Sequence, residues 1–243
     1  MEKLFGLVGK NIAYSFSRTY FTEKFSRLEL NCHYENFDIP DISQFPEIIK
    51  HNPDVKGLNV TIPYKESVIP YLDSLTETAA KIGAVNTISL NDGMLTGHNT
   101  DHYGFQKSLA PLLQPHHKKA LILGTGGASK AVAFALETLG ISYQLVSRKQ
   151  VDNSICYDDI NDKTFSEFHI IINTTPIGTF PDTEVCTDIP YDLFTNRHIA
   201  YDLIYNPEET LFLKKAKSHG AVIKNGLEML QLQAEKAWEI WNS

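Results

Sequence analysis

A chain of 243 residues holds one large or two modest domains, and its 42% hydrophobic and 21% charged content excludes the disordered and fibrous classes. A formal net charge of −7 argues against nucleic acid and acidic membrane surfaces as partners, so an anionic ligand has to be captured locally. No stretch reaches the roughly 20 apolar residues of a membrane span, and Met1 to Gly6 runs straight into a short apolar strand without a charged and then apolar leader, so a cytoplasmic protein is expected.

In chain order, Leu4 to Val8 reads as a strand, and Phe21, Phe25 and Leu28 fall at helical spacing after the polar turn Ser15-Phe16-Ser17. A second strand and helix fit Cys32 to Ile39 and Ile42 to Lys50. Gly57 to Val60 resembles a buried strand stopping at Thr61, and Pro63 is placed for the first turn of a short helix with Lys65 at its start. Ala84 to Leu90 and Met94 to Gly97 bracket Asn91-Asp92-Gly93, a strong hairpin signal, so the first part of the chain should carry a mixed sheet. Thr100 can cap a helix from Asp101 to Leu112, which Pro115-His116-His117 ends. Beyond it, Ala120–Leu123, Tyr143–Val146, Ile170–Asn173, Ala200–Ile204 and Ala221–Ile223 are apolar runs separated by helical or loop stretches, the alternation of a mostly parallel, doubly wound sheet. A last helix fits Leu227 to Trp241. The odd set Cys32, Cys156 and Cys186 has no C-x-x-C pair, so neither a disulfide framework nor a metal site is expected.

Gly124-Thr125-Gly126-Gly127-Ala128-Ser129 follows a strand and opens the helix Lys130 to Leu139, the setting of a dinucleotide fingerprint: glycines for a tight turn, bare amides for a pyrophosphate. The third glycine of the strict form is Ser129 here. At the end of the next strand an NAD site places an acid for the ribose hydroxyls; this chain has Ser147-Arg148-Lys149, whose cations suit a 2′-phosphate, so the cofactor expected is NADP.

Lys65 and Asp101 stand in two polar turns upstream of that loop. Hydride transfer to a carbonyl leaves an oxyanion that needs a proton, and a lysine with a carboxylate is one way to supply it. A helix start would lower the lysine pKa and a nearby carboxylate would raise it. Asn59, Thr61, Asn86 and Asn99 fall at expected strand ends and turns and suit hydroxyl groups, while Ser15 and Ser17 could both donate to a carboxylate. Together they describe a site for a polyhydroxylated acid.

On these residues the whole chain resembles the shikimate dehydrogenase family. The likeness rests, in order, on Ser15-Phe16-Ser17, Asn59-Val60-Thr61 through Lys65, Gly83 to Thr87, Gly97 to Asp101, the glycine loop, Asn173 to Gly178, and Asn225-Gly226 through Gln233. It implies an α/β protein of two domains, a mixed-sheet substrate domain (1–100 plus 226–243) and a Rossmann-type NADP domain (101–225), with the active site in the cleft between them. It implies reversible reduction of 3-dehydroshikimate to shikimate by NADPH, in aromatic biosynthesis. Lys65 and Asp101 would be the catalytic pair, with Lys65 the favoured acid/base. Ser15 and Ser17 would hold the carboxylate, and Thr61, Asn86, Asp101 and Gln233 the ring hydroxyls, with Tyr205 lining the same pocket. The cofactor would meet Gly124 to Ser129, Ser147, Arg148, Lys149, Thr174, Leu203, Gly226 and Glu77. A monomer or homodimer would result. The neighbouring possibilities are a quinate/shikimate paralogue and a non-catalytic NADPH-binding regulator. Tyr14, Arg18 and Ser147-Arg148-Lys149 depart from the family's usual residues, which bears on how phosphate and carboxylate are held.

Overall fold

The computed structural model describes residues 2–13, 15–149 and 153–243, so Tyr14 lies outside the described residues. The chain folds as two compact units, Met1–Thr100 with Ala234–Ser243, and Asp101–Gln233.

The first unit contains β1 (Lys3–Gly9), α1 (Phe16–Arg27), β2 (Cys32–Asp38), α2 (Phe45–His51), β3 (Val55–Val60), β4 (Ser74–Leu75), α3 (Glu77–Ile82), β5 (Thr87–Asn91) and β6 (Met94–His98). Among the described residues its sheet runs β2-β1-β3-β5-β6-β4. β1 is parallel to β2 and β3, while β5 is antiparallel to β3 and β6, so the sheet is mixed as the hairpin signal implied. That hairpin closes with Asn91 paired to Met94, and Asp92 and Gly93 at φ 50° and 81° take the left-handed conformations a two-residue turn needs. β1 alternates faces: Phe5 and Leu7 join Phe21, Phe25 and Tyr34 on one side, and Val8 joins Val55, Leu58 and Val60 on the other. Trp241, near the C-terminus, packs so closely on Gly57 that a Cβ there would lie 2.2 Å from its indole, and its Nε1–H donates to Ile88 O at 3.0 Å.

The second unit contains α4 (Asp101–Leu109), β7 (Lys119–Leu123), α5 (Gly127–Thr138), β8 (Ser142–Ser147), β9 (Ser154–Cys156), α6 (Asp162–Glu167), β10 (Ile170–Asn173), β11 (Ile199–Asp202), α7 (Leu211–Ser218), β12 (Val222–Lys224) and α8 (Leu227–Trp241), the last of which ends in the first unit. Its sheet order is β12-β11-β10-β7-β8-β9 with every described neighbour parallel. Continuous burial of Ala120–Leu123, Ile170–Ile172 and Ile199–Tyr201 fits a parallel sheet covered on both faces. The strand order reverses at β7, between β8 and β10, and ligands of such sheets bind beyond the carboxyl ends of the strands at that reversal.

Three local expectations change. No helix starts at Pro63: residues 62–68 form turns that lead into a 3-10 turn at Ile69–Tyr71. The backbone closes single turns, with Tyr64 N on Thr61 O at 2.9 Å and Val68 N on Tyr64 O at 3.0 Å, while the Lys65 carbonyl accepts from Val85 N of a neighbouring segment at 2.7 Å. The dipole argument for Lys65 falls with it. The helix from Asp101 breaks after Leu109 into a 3-10 turn at Ala110–Leu112, around Pro111. The run Ala200–Ile204 leaves the sheet at Asp202, because the Asp202 carboxylate takes the Ile204 N–H.

Candidate functional site

Along the first sheet, α1 follows the end of β1, Thr61 follows the end of β3, and Asn86 precedes β5, which is antiparallel to β3; all three lie at one edge of the sheet. Thr61 N donates to Val8 O and Val60 N to Asn86 O, both at 2.9 Å. The Val85 bond to the Lys65 carbonyl draws the Lys65 turn to the same edge. Ser15 caps α1, its Oγ accepting from Arg18 N at 3.3 Å, and Ser17 follows in the first turn. Ser15, Ser17, Thr61 and Lys65 are all partly exposed.

A buried polar chain lies beneath them. The Tyr34 hydroxyl donates to Asn59 Oδ1 at 2.8 Å, and Asn59 Nδ2 reaches Asn86 O and Thr87 Oγ1, each at 3.3 Å. Asn86 Oδ1 accepts from Thr100 N at 2.6 Å, and Asn86 Nδ2 donates to Thr100 Oγ1 at 3.0 Å. Asn99 Nδ2 ties to Ala84 O at 2.9 Å. Burial pushes the Tyr34 phenol pKa up, and the hydrogen-bonded Ser17 side chain pulls it the other way. Ser17 and Asn86 are thereby joined through Tyr34 and Asn59. Asp101, the residue after Thr100, is buried and opens α4.

In the second unit the glycine loop joins β7 to α5. Gly124 has φ +110°, and a Cβ on it would sit 2.8 Å from Thr174 Oγ1, so glycine is required twice over. Gly126 caps α5 with nothing within 4 Å of where a Cβ would stand, and the first turn of the helix carries no acid, which leaves its amide end electropositive. Ser129 replaces the third glycine without blocking the loop: it is 2% exposed, and its Oγ turns back to donate to Gly126 O at 2.6 Å. At the end of β8, Arg148 and Lys149 are exposed, while the Ser147 hydroxyl bonds Lys149 O and lies 3.1 Å from Ser154 Oγ.

Thr174 follows β10 and bridges to Leu123 O by its N at 3.0 Å and its Oγ1 at 2.8 Å, at the lip of the glycine loop. Leu203 follows β11 with its N on Asn173 O at 3.0 Å, and Gly226 passes so close that a Cβ would lie 2.0 Å from Leu203 O. Tyr205, half-buried, ends the same turn. Gln233 is buried on α8, its Nε2 donating to Leu230 O at 3.1 Å. Glu77 stands in the first turn of α3 with its exposed carboxylate paired to Lys81 at 2.7 Å, which lowers its pKa.

The structure therefore brings Ser15, Ser17, Thr61, Lys65 and Asn86 to one edge of the first sheet. It brings the glycine loop, Ser147 to Lys149, Thr174, Leu203, Tyr205 and Gly226 to the carboxyl ends of the second. Sequence reasoning missed Tyr34, Thr87, Asp202 and Thr210. The signal for Asp202 was a carboxylate inside the apolar run Ala200–Ile204; for Tyr34, one tyrosine in an ordinary alternating strand, there was none. Among the described residues no group of three or more His, Cys, Asp or Glu is placed to hold a metal ion, and no helix is long and apolar enough to cross a membrane.

A family model described as the shikimate dehydrogenase substrate binding domain matches residues 7–88. A shikimate dehydrogenase (NADP(+)) of Clostridium beijerinckii is 41% identical over 249 residues, covering 98% of this chain and 92% of the relative. Among solved structures, a shikimate dehydrogenase from Aquifex aeolicus superposes with a TM-score of 0.89 at 35% identity, covering 99% of this chain and 92% of the other. A shikimate 5-dehydrogenase from Thermus thermophilus, solved in complex with NADP(H) and shikimate, gives 0.87 at 31% identity, covering 98% and 93%.

Proposed function

This chain belongs to the shikimate dehydrogenase family, and from that premise we propose that it catalyses the reversible, NADPH-dependent reduction of 3-dehydroshikimate to shikimate. The observation that carries the reading is the gathering of Ser17, Thr61, Lys65 and Asn86 at one sheet edge, with Ser17 and Asn86 joined through Tyr34 and Asn59. Hydroxyls and an amide suit a polyhydroxylated acid, and an ammonium group among them suits a carbonyl that must be protonated as it is reduced.

The residues present fit the nucleotide. The glycine loop offers bare amides for a pyrophosphate, and β8 ends in two exposed cations where an NAD site would carry an acid. Bound NADPH supplies the hydride. Lys65 gives a proton to the carbonyl oxygen as it gains charge and takes it back in the oxidative direction, and Asp101 is its partner carboxylate. Ser15 and Ser17 donate to the substrate carboxylate. Thr61, Asn86, Asp101 and Gln233 bond the ring hydroxyls, with Tyr205 beside them. Thr174, Leu203, Gly226, Ser147 and Glu77 complete the cofactor contacts. The same reading makes the protein a cytoplasmic enzyme, acting as a monomer or homodimer.

The test is a spectrophotometric assay of shikimate or quinate against NADP⁺ or NAD⁺. Shikimate with NADP⁺ should give the highest kcat/KM of the four combinations; preference for quinate would reassign the substrate, and no turnover in any combination would favour a nucleotide-binding regulator. Arg148→Ala should raise the KM for NADPH with little change for NADH, and equal losses with both would remove the 2′-phosphate as its target.

A further inference from the structure

Asp202 is fully buried at the end of β11, and nothing in the chemistry above uses it. Its Oδ1 accepts from Asn173 Nδ2 and from Ile204 N, each at 3.0 Å, and its Oδ2 accepts from Thr210 Oγ1 at 2.6 Å. Asn173 is its register partner on β10. With the Asn173 amide nitrogen bonded to Asp202 and, at 3.5 Å, to Ile177 O, the amide oxygen accepts from Thr175 N at 3.0 Å and Thr175 Oγ1 at 2.7 Å in the turn that follows. Thr175 Oγ1 then accepts from Ile177 N at 3.3 Å. On the other side, the bond to Ile204 N shapes the turn that carries Leu203 and Tyr205, and Ile204 O in turn receives Gly226 N at 3.0 Å. Thr210 caps α7 through Leu213 N at 3.4 Å.

One carboxylate thus anchors two adjacent turns, and a pure acceptor is what three converging donors require. Burial pushes its pKa up to about 6, against the opposing bonds from Thr210, Ile204 and Asn173. A charge retained at that cost points to organisation of the turns rather than to stability. We propose that Asp202 is a positioning residue that sets the turns after β10 and β11 in the arrangement that receives NADPH. This rests on the reading of Thr174, Leu203 and Gly226 as cofactor contacts.

The test measures NADPH affinity of the full chain by nucleotide fluorescence, beside the unfolding temperature and steady-state kinetics. Asp202→Asn keeps the shape and presents an NH2 group where Thr210 now donates; it should raise the NADPH Kd and the KM for NADP⁺ about tenfold, the scale of one charge-assisted hydrogen bond, with kcat at saturation nearly unchanged. Thr210→Val, which removes one of the three donors, should move both in the same direction and decides the matter by the same criteria if the first variant does not fold. Phe165→Leu, a core truncation near the opposite strand ends, should lower the unfolding temperature without changing the Kd. Thr174→Ala tests the underlying reading and should also weaken NADPH. Weakening by Thr174→Ala alone, with Asp202→Asn and Thr210→Val at the wild-type Kd, would overturn the role of Asp202. Wild-type affinity in all three would overturn the cofactor reading itself. Equal weakening by Phe165→Leu and Asp202→Asn at equal loss of stability would reduce Asp202 to a structural residue.

Discussion

Asn59 is held one way round by Tyr34: the phenol donates to its Oδ1 at 2.8 Å, so its Nδ2 must face Asn86 O and Thr87 Oγ1. Tyr34 itself is fixed by stacking on Phe21, with ring centroids 4.9 Å apart and planes within 13°. Tyr34→Phe keeps the ring and leaves Asn59 Oδ1 buried without its donor. The variant should lose about 1–3 kcal/mol of stability, read as a lower urea midpoint at unchanged m-value. On the proposed role of Ser17, the KM for shikimate should rise more than the KM for NADP⁺. Wild-type stability would mean that water replaces the phenol.

Gly124→Ala joins two costs, a left-handed φ of +110° and a Cβ 2.8 Å from Thr174 Oγ1. Backbone strain of this kind costs about 1–3 kcal/mol, and relief by shifting the Thr174 turn would displace the loop proposed to receive the pyrophosphate. NADPH binding by calorimetry should weaken at least tenfold, since about 1.4 kcal/mol is a factor of ten. Gly126→Ala is the comparison, because a Cβ there meets nothing within 4 Å, and the smaller loss should be found there.

Lys65→Met tests the proposed proton transfer. Turnover should fall by roughly 10²–10⁴-fold, the usual scale for losing a general acid, while the KM for shikimate changes less. Because Lys65 sits in turns and its carbonyl bond to Val85 N is made by the backbone, the substitution leaves that anchor in place. Near-normal kcat would take Lys65 out of the chemistry.

Acid should unfold the second unit from the amino ends of its strands. His198 Nδ1 accepts from Thr195 N at 3.0 Å and its Nε2 bonds Phe165 O at 3.0 Å; His117 Nδ1 accepts from Gln114 N at 2.8 Å and its Nε2 bonds Arg197 O at 3.0 Å. Both rings are therefore neutral, with the proton on Nε2, and burial first, then the nearby His116 and Arg197, lowers both pKa values. The rings of His116 and His169 stand beside them, and burial likewise lowers the His169 pKa. A folded pKa below the unfolded one gives stability that is complete above about 6.5 and is lost as pH falls through the folded values. Urea unfolding should show a falling midpoint from pH 7 to 5, offset in part by Asp202, whose raised pKa adds stability as pH falls below about 6. His117→Gln with His198→Gln should flatten that limb, and a limb of wild-type slope in the double variant would assign it to other groups.

Local chemistry decided much of this protein from the sequence alone. Apolar runs of strand length, an Asp-Gly turn between two of them, and a glycine loop between strand and helix specify a mixed sheet followed by a parallel one, because each signal acts over a few residues. Tertiary structure decided how polar groups are satisfied. Asp202 finds Asn173 at a separation of 29 residues and Thr210 at 8, Tyr34 finds Asn59 at 25, and no periodicity records such partners. The Lys65 turn is likewise tied by a partner the sequence does not announce, its carbonyl accepting from Val85 N, a segment away along the sheet edge. Ser129, at the third glycine position of the fingerprint, turns its hydroxyl back onto Gly126 O, a rotamer set by the folded loop. Hydrophobic periodicity is repeated many times along a strand or helix and so is legible in one dimension, whereas a buried hydrogen bond is a single pairing that exists only once distant segments meet.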